Sequence, residues 1–319
     1  MKYFLTAILV FSITLSYSQY TSPGNGNNYT LNDLVNISSG VVTFNGAAYE
    51  INSDLTIAFS DTFTVDSAVD ILMGNDVLIT SLGLLQFDAG NDWIDIIPIN
   101  TGQHYKGLRI EDNSNSLLRK VTMIDGGGIR ILNADIIIDN CFFSSFNTSN
   151  STGVINLFQA SPTITNCLFQ SNEGPVLNSG ANIFSAPKIY NSILELNNTG
   201  NTNAPQINLG PSGTGDTIRI IGNQIIGGNT NVGGISTSNL LGAGMQNVVI
   251  DSNLIVNNRY GITCTGNNIK ARITKNTILN NDIQNQPNLG GSGINFNGGN
   301  SNEAIVGENY ISGNLWGIT

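Results

Sequence analysis

Two markers alternate along most of this chain: an asparagine followed two residues later by an apolar side chain, and a hydrophobic residue preceded by glycine or proline. The hydrophobic members return with a mean period near 26 residues: Leu108, Ile129, Val154, Val176, Ile207 (offset by one residue), Ile235, Ile262, Ile294 and Ile318. The segments between them are short and lack helical periodicity. A period of this size, built from strand-like segments, predicts a solenoid of stacked coils.

The asparagine marker predicts how each coil bends. Asparagine tolerates left-handed backbone and bonds to neighbouring peptide groups, which suits a tight bend repeated in every coil. Bends stacked one strand spacing apart predict a ladder of amide hydrogen bonds along the solenoid axis. The asparagines of this predicted ladder are Asn140, Asn166, Asn191, Asn223, Asn253, Asn276 and Asn309.

Alternation of side chains along a strand predicts which residues form the core. The residue two after each marker asparagine is large and apolar, so we expect it inside and the residue between them outside. Another apolar residue precedes the asparagine by two positions in earlier coils and by three in later ones, so the bend is expected to gain one residue midway. These preceding residues are Ile138, Ile164, Ile189, Ile221, Ile250, Ile273 and Val306. Each coil then has three strands, with variable loops on the side that is commonly used for binding.

The combined pattern, Ile-x-x-Asn-x-Ile-x-x-Asn followed by Gly-Ile, resembles the repeat of the pectin-lyase-like superfamily. The resemblance covers residues 106–319 well and 45–105 loosely. It implies an all-β fold: a single-stranded, right-handed parallel β-helix (solenoid) with a short N-terminal capping helix. The superfamily includes polysaccharide lyases, hydrolases, epimerases and adhesins, so the resemblance indicates a fold and leaves the chemistry open.

The two ends of the chain carry further predictions. Residues 1–18 have the features of a secretory signal peptide, with Lys2, a short apolar run and a small-x-small site. The overall plan resembles secreted bacterial β-helix proteins that end in a type IX secretion sorting domain. That domain is missing from this sequence, and the chain stops inside a Gly-Ile strand, so we expect a truncated C-terminus.

The sequence between these ends divides into two regions. Residues 19–45 form an N-terminal segment in which Thr30 and Asp33 begin a short amphipathic helix, expected to cap the first coil. Residues 46–319 form the β-helix, with irregular coils to about 105 and regular coils over 106–319. No segment after the signal reaches membrane-spanning length, so we expect a soluble monomer, secreted or at the cell surface.

Charge is unevenly distributed along the chain. Its net charge is −10, and residues 3–105 contain no Lys or Arg but ten carboxylates. Such a surface disfavours nucleic acid as a partner. The acidic group Asp88, Asp92 and Asp95 offers hard oxygen ligands in a short loop, so Ca²⁺ is the ion it would take. The alternative is that these are ordinary solvated turn residues, and no cofactor is required by the sequence.

Basic residues supply the candidate catalytic groups. Arg109 and Arg130 take the same outward slot in adjacent coils, and Lys270 and Arg272 share a strand face beside Arg259 and Lys275. In the lyases that the repeat resembles, a Lys or Arg abstracts the proton next to a uronate carboxylate. The alternative is that these side chains pair with carboxylates on neighbouring strands. The single histidine, His104, is expected to be solvated.

Aromatic and cysteine residues leave two further alternatives open. Tyr260 and Trp316 both stand immediately before Gly-Ile, which places two rings on one side, two coils apart. They form either a platform for stacking sugars or a lid over a turn. Cys141 and Cys167 follow the bend asparagine in consecutive coils, and their stacking allows either a disulfide or two neighbouring thiols.

These observations support two functions. The first is a secreted or cell-surface, non-catalytic β-helix that binds extracellular polysaccharide or cell-surface glycan, or acts as an adhesive or structural module. The alternative is a polysaccharide lyase that acts on acidic polysaccharide by Lys- or Arg-assisted β-elimination. The sequence lacks the paired-aspartate signature of the hydrolases of this fold, which disfavours glycoside hydrolysis.

Overall fold

The computed structural model describes residues 19–113, 115–148, 152–241, 244–299 and 301–319. The predicted signal peptide therefore lies outside the described residues. Within them, the strands stack into three sheets that the chain visits in turn, one strand per sheet per coil, which is the predicted right-handed parallel β-helix. All of the described strand pairs are parallel except the first pair of one sheet, Val42–Phe44 with Tyr49–Ile51, which is an antiparallel hairpin. The helix Leu31–Ile37 stands before the first regular coil. None of the described helices is long and apolar enough to cross a membrane.

Each sheet is defined by its strands. Sheet A contains Tyr20–Thr21, Leu55–Ile57, Leu78–Ser81, Gly107–Glu111, Ile129–Leu132, Ile155–Phe158, Leu177–Ser179, Ile207–Leu209, Ile235–Asn239, Ile262–Gly266, Ser292–Gly298 and Trp316–Ile318. Sheet B contains Asn28–Tyr29, Thr62–Val65, Leu84–Asp88, Leu117–Arg119, Ile137–Asp139, Thr163–Thr165, Lys188–Tyr190, Ile218–Ile221, Gln246–Asp251, Ile269–Thr274 and Glu303–Gly307. Sheet C contains Val42–Phe44, Tyr49–Ile51, Val69–Met73, Ile94–Pro98, Val121–Ile124, Phe142–Ser144, Leu168–Gln170, Ile193–Glu195, Gln224–Ile226, Leu254–Val256, Thr277–Leu279 and Tyr310–Ser312.

The core is a set of side-chain columns that run along the axis. Alternate residues of each short strand point inward, and equivalent residues of successive coils stack one strand spacing apart. In sheet B one such column is completely buried: Ile138, Ile164, Ile189, Ile220, Ile250 and Ile273. Burying each aliphatic side chain of this size contributes about 1.5–3 kcal/mol. The rings of Phe143 and Phe169 stack in the same way in sheet C, with centroids 4.9 Å apart.

The predicted asparagine ladder exists, but the prediction is wrong for its first three positions, where Asn140, Asn166 and Asn191 are not the ladder residues. Asn223, Asn253, Asn276 and Asn309 are linked through backbone N–H groups that donate to the Oδ1 of the next coil at 2.9–3.0 Å. In the earlier coils the same slot holds Cys141, Cys167 and Ser192. Asn140, Asn166 and Asn191 lie one residue earlier, in the left-handed bend with φ of 53°, 56° and 49°.

This shift also corrects the expectation that the bend gains a residue. The buried isoleucine precedes the ladder slot by three positions throughout, because Ile189 pairs with Ile220 rather than with Ile221. In the first three coils the residue two after the marker asparagine therefore points outward, and the core positions are taken by Phe143, Phe169 and Leu194. Cys141 and Cys167 are buried instead of outward.

A similar one-residue shift affects sheet A. Ile129 pairs with Ile155, which pairs with Leu177, which pairs with Ile207. Ile207 is therefore in register, and the displaced residues are Val154 and Val176. All of these side chains are buried, so hydropathy could not distinguish the pairing residue from its neighbour.

A second amide ladder occupies the bend between sheets C and A. Asn172 and Asn197 are linked in two coils, and Asn258, Asn281 and Asn314 are linked in three later coils. Between these two groups the bend contains Gly227 and Gly228, which have no amide side chain. The buried Gln206 fills this gap: its Oε1 accepts from Asn197 Nδ2 at 3.0 Å and its Nε2 donates to Asn258 Oδ1 at 3.2 Å.

The N-terminal helix caps the first coil as predicted. Thr30 and Asp33 form a capping box, and Leu31 and Leu34 are buried against the strands below. The segment before the helix is held by the buried carboxylate of Asp61. That carboxylate accepts hydrogen bonds from Ser22 Oγ at 2.5 Å and from backbone N–H groups of the segment at 2.8 and 2.9 Å.

The cysteines are buried free thiols, which answers the question of a disulfide. Cys141 N–H donates to the Sγ of Cys167 at 3.4 Å, and both thiols donate to carbonyl groups of the preceding coil. Burial raises the pKa of the Cys167 thiol well above its ordinary value. Both thiols therefore serve as members of the ladder, and the Cys167 thiol is a poor nucleophile at neutral pH.

Candidate functional site

The first pair of candidate arginines lies on the outer face of sheet A. Arg109 and Arg130 are paired in register in adjacent coils, as expected from their sequence positions. Arg109 forms an ion pair with Glu111 of its own strand, whereas the Arg130 side chain is exposed. Surface pairs of this kind contribute about 0–1 kcal/mol.

The second basic group divides between two parts of the molecule. Lys270 and Arg272 lie on the outer face of sheet B, where Lys270 Nζ is 3.6 Å from a carboxylate oxygen of Glu303. Lys275 occupies a left-handed bend, and Arg259 lies at the entry to a sheet A strand. The two groups of candidate catalytic residues are therefore on different sheets and do not share a site.

The three aspartates proposed for Ca²⁺ are not gathered around one point. Asp88 forms an ion pair with Arg119 of the next coil in sheet B. A hydrogen bond from that guanidinium holds the pKa of the Asp88 carboxyl below its usual value. Asp95 lies on the outer face of sheet C beside Asp70, and Asp92 is an exposed turn residue. Among the described residues there is no group of three or more His, Cys, Asp or Glu side chains close enough together to hold a metal ion.

Tyr260 and Trp316, by contrast, are brought to one cleft of about 410 Å³. Trp316 pairs in register with Ser292, and Gly261 N–H donates to the Ser292 carbonyl, so the two aromatic residues are two coils apart on the same side. At the strand spacing this separates their backbones by about 10 Å. The long loop that contains Pro287 and the strand residue Ser292 also line the cleft.

Tyr260 is held by its neighbours on both sides. Its ring lies over Gly233, where an added Cβ would be 2.1 Å from the ring carbon Cζ, so this position requires glycine. Arg259 places its guanidinium 5.9 Å from the ring centroid. The same guanidinium donates to the carbonyl of Leu289 and to Asn203, which ties the loop to the ring.

Trp316 is anchored at one edge and remains partly exposed. Its indole Nε1 donates to the carbonyl of Pro287 at 3.2 Å, so the loop fixes the ring orientation. The residue nevertheless remains 47% exposed. A large ring with its polar edge satisfied and about half of its surface in solvent is suited to stacking against a ligand.

Hydroxyl and amide groups line the space between the two rings. Thr319 Oγ1 interacts with Ser292 Oγ at 3.1 Å and accepts from Asn295 Nδ2 at 2.9 Å. Thr263 and Asn288 also line the cleft. Their side chains make no hydrogen bond to the part of the chain that the structure describes, so they can bond to a ligand.

An uncharged polar strip continues from the cleft along the outer face of sheet A. Equivalent outward slots in successive coils pair in register: Thr263, Ser236, Asn208, Asn178 and Asn156. Asn208 Nδ2 donates to Asn178 Oδ1 at 2.9 Å, and Asn178 Nδ2 donates to Asn156 Oδ1 at 3.2 Å. The strip resembles the internal ladders in its bonding; Thr263, Ser236, Asn208 and Asn156 are half-buried, whereas Asn178 is buried.

Comparison with known proteins gives a distant structural similarity. No family model matches this chain. No curated protein matches it either. Two solved structures do, one of the periplasmic alginate epimerase AlgG and one of a point mutant of that epimerase. Each is 11% identical with a TM-score of 0.44, over 92% of this chain and 83% or 84% of the other. Similarity at this level assigns neither a substrate nor a site.

The chemistry of the cleft favours binding. Among the described residues that line the cleft, one has a titratable side chain, Tyr260. Burial raises the pKa of its phenol to about 12. A general base needs a pKa near the working pH, so this phenol is a poor proton acceptor at neutral pH. Sequence reasoning found the two rings but missed Asn288, Asn295 and Pro287. The unusual length of the loop that carries Asn288 was the available signal.

Proposed function

We propose that this chain is an exported, non-catalytic glycan-binding β-helix, and that the cleft between Tyr260 and Trp316 holds the glycan. The supporting observation is the pair of aromatic residues two coils apart, with hydroxyl and amide groups between them. A sugar ring presents an apolar C–H face that stacks on an aromatic ring and hydroxyl groups that bond to amides. The export predicted from residues 1–18 would bring this cleft to extracellular or cell-surface glycans.

The dimensions of the cleft fit a short stretch of glycan. Its volume of about 410 Å³ lies within the range of small-ligand sites. Ser236 and Asn208, which are half-buried, extend the same surface by two coils, about 10 Å, before the buried Asn178, so a longer chain can continue past the cleft over that distance. An adhesive role follows from this arrangement, because an extended contact gains affinity from several weak sites.

The positions of the basic residues favour binding over the lyase alternative. β-Elimination needs a base and a group that neutralises the uronate carboxylate at the same carbon. Arg130 is five coils from Tyr260 along sheet A, about 24 Å at the strand spacing. Lys270 and Arg272 are on a different sheet. Arg259 is the basic residue beside the cleft, but its guanidinium is engaged by the carbonyl of Leu289 and by Asn203. A second basic group that could share the reaction with it does not line the cleft among the described residues.

The test is a glycan array followed by calorimetry with the best ligand. Trp316→Ala removes the partly exposed ring and is expected to weaken binding by about tenfold, because an aromatic stack contributes about 1 kcal/mol beyond its buried area. Circular dichroism of the variant checks that the fold is retained.

A matched control is available in Trp93, which is 44% exposed and lies on another side of the solenoid. Trp93→Ala is expected to leave glycan affinity within a factor of two. Equal losses in the two variants, or failure of the native chain to bind any glycan on the array, would refute the proposal.

A further inference from the structure

A row of cations on the outer face of sheet B is produced by register between distant coils. Lys188 pairs with Arg219 in the next coil. Arg219 pairs with Val249, which pairs with Arg272. Lys270 precedes Arg272 on the same face of the same strand. Four basic side chains, separated by up to 84 residues in the sequence, thus share one face.

The local charge balance of this face differs from that of the whole chain. Lys270 is 3.6 Å from Glu303, and the Asp251 carboxylate nearby accepts hydrogen bonds from Ser252 and Thr274. Lys188, Arg219 and Arg272 make no ion pair or side-chain hydrogen bond with any residue that the structure describes. The face therefore carries surplus positive charge on a chain whose net charge is −10.

Lys270 and Arg272 border a groove of about 300 Å³. Arg219 and Lys188 lie outside it, two and three coils earlier on the same face. Thr217, Asn247, Lys270 and the carboxylate-bearing Glu303 follow one another along one side of the groove, and Val249 and Arg272 lie along the other. Ile305, which is 67% exposed, extends the second side beyond Arg272. The groove thus combines charged heads with an apolar surface that the C–H face of a sugar can contact.

From this geometry we propose that the outer face of sheet B is a second binding site, for an anionic polysaccharide carrying carboxylate or sulfate groups. Its cations occupy the first, second and fourth of four successive coils, so a ligand must be extended and must present charges repeatedly at spacings of about 5–15 Å. Guanidinium groups bind planar or tetrahedral oxyanions through paired hydrogen bonds. The site is separate from the Tyr260–Trp316 cleft, which lies on sheet A.

The experiment compares binding of polygalacturonate, a carboxylated glycan, and heparin, a sulfated one, to the full chain by calorimetry. The double variant Arg219→Ser with Arg272→Ser is expected to bind the preferred polymer about tenfold more weakly. Binding to the native chain should also weaken strongly at about 0.5 M salt, where exposed charges are screened within a few ångströms. The preferred polymer distinguishes carboxylate from sulfate as the recognised group.

The matched control is the double variant Arg109→Ser with Arg130→Ser, which removes the same charge from adjacent coils of sheet A. It should change the affinity less than twofold. Equal weakening in both double variants would mean that net charge, not this face, controls binding, and would overturn the proposal. Absence of saturable binding to both polymers would overturn it as well. A loss of anion binding in Trp316→Ala would place the ligand in the cleft, with the same consequence.

Discussion

At the residue scale, Gln206 shows how a solenoid compensates for an irregular coil. Its buried amide replaces the side chain missing at Gly228 and joins Asn197 to Asn258. Gln206→Ala would remove one hydrogen-bond partner from Asn197 Nδ2 and one from Asn258 Oδ1, both buried, at a cost of about 1–3 kcal/mol each. We therefore expect the variant to lower the free energy of unfolding by about 2–4 kcal/mol, as measured by denaturant unfolding.

Gln224 supplies the control for this prediction. It is an exposed glutamine on a strand of sheet C. Gln224→Ala should change stability by less than about 0.5 kcal/mol. If Gln206→Ala were no more destabilising than Gln224→Ala, the bridging role of Gln206 would be wrong.

At the scale of an element, the N-terminal segment depends on one carboxylate. Burial would raise the pKa of the Asp61 carboxyl, but hydrogen bonds from Ser22, Gly24, Gly26 and Asn27 together outweigh it and lower the pKa below its usual value. A carboxyl with a lowered folded pKa contributes stability that is present above its unfolded pKa of about 4 and is lost as the pH falls through the folded value.

Amide hydrogen exchange of residues 22–27 measures this dependence. The segment is expected to be protected at neutral pH and to lose its protection below about pH 4, after correction for the intrinsic exchange rate. Asp61→Asn should expose the segment already at neutral pH, whereas Asp66→Asn, at an exposed carboxylate, should not. Protection of the segment that is unchanged in Asp61→Asn would contradict this account.

At the scale of the whole molecule, the acidic N-terminal third creates repulsion along the solenoid. Asp70 and Asp95 pair in register on the outer face of sheet C, so like charges lie one strand spacing apart. Each coil contacts mainly its neighbours, so this repulsion is not offset by the basic residues of later coils. We expect Asp70→Asn to raise the thermal midpoint by about 1–3 °C at low ionic strength.

Calorimetric scans at low and high salt separate this effect from other consequences of the substitution. The gain in Asp70→Asn should shrink at about 0.5 M salt, because screening already relieves the repulsion in the native chain. Asp216→Asn, at an exposed carboxylate in the charge-balanced part of the chain, should show little change at either salt concentration. A gain from Asp70→Asn that is independent of salt would rule out repulsion as its cause.

The two asparagines Asn191 and Asn223 show where prediction from the sequence stops. Each has an isoleucine two residues before it and another two residues after it, so both fit the same local pattern. Asn191 takes the left-handed bend and Asn223 takes the ladder slot one residue later. The choice depends on the pairing of Ile189 with Ile220 across coils, and a shift of one residue reverses every side chain of a short strand.

The sequence by itself determined the solenoid, its three strands per coil, the capping helix and the region of the two aromatic residues. These features depend on local alternation, capping and turn chemistry, which act over a few residues. Tertiary structure decided which distant side chains meet: Gln206 between its two asparagines, Arg219 near Arg272, and the loop of Asn288 against Trp316. Such contacts depend on the length of each coil and on its register with the next, and these are set by packing of the whole stack rather than by any local pattern.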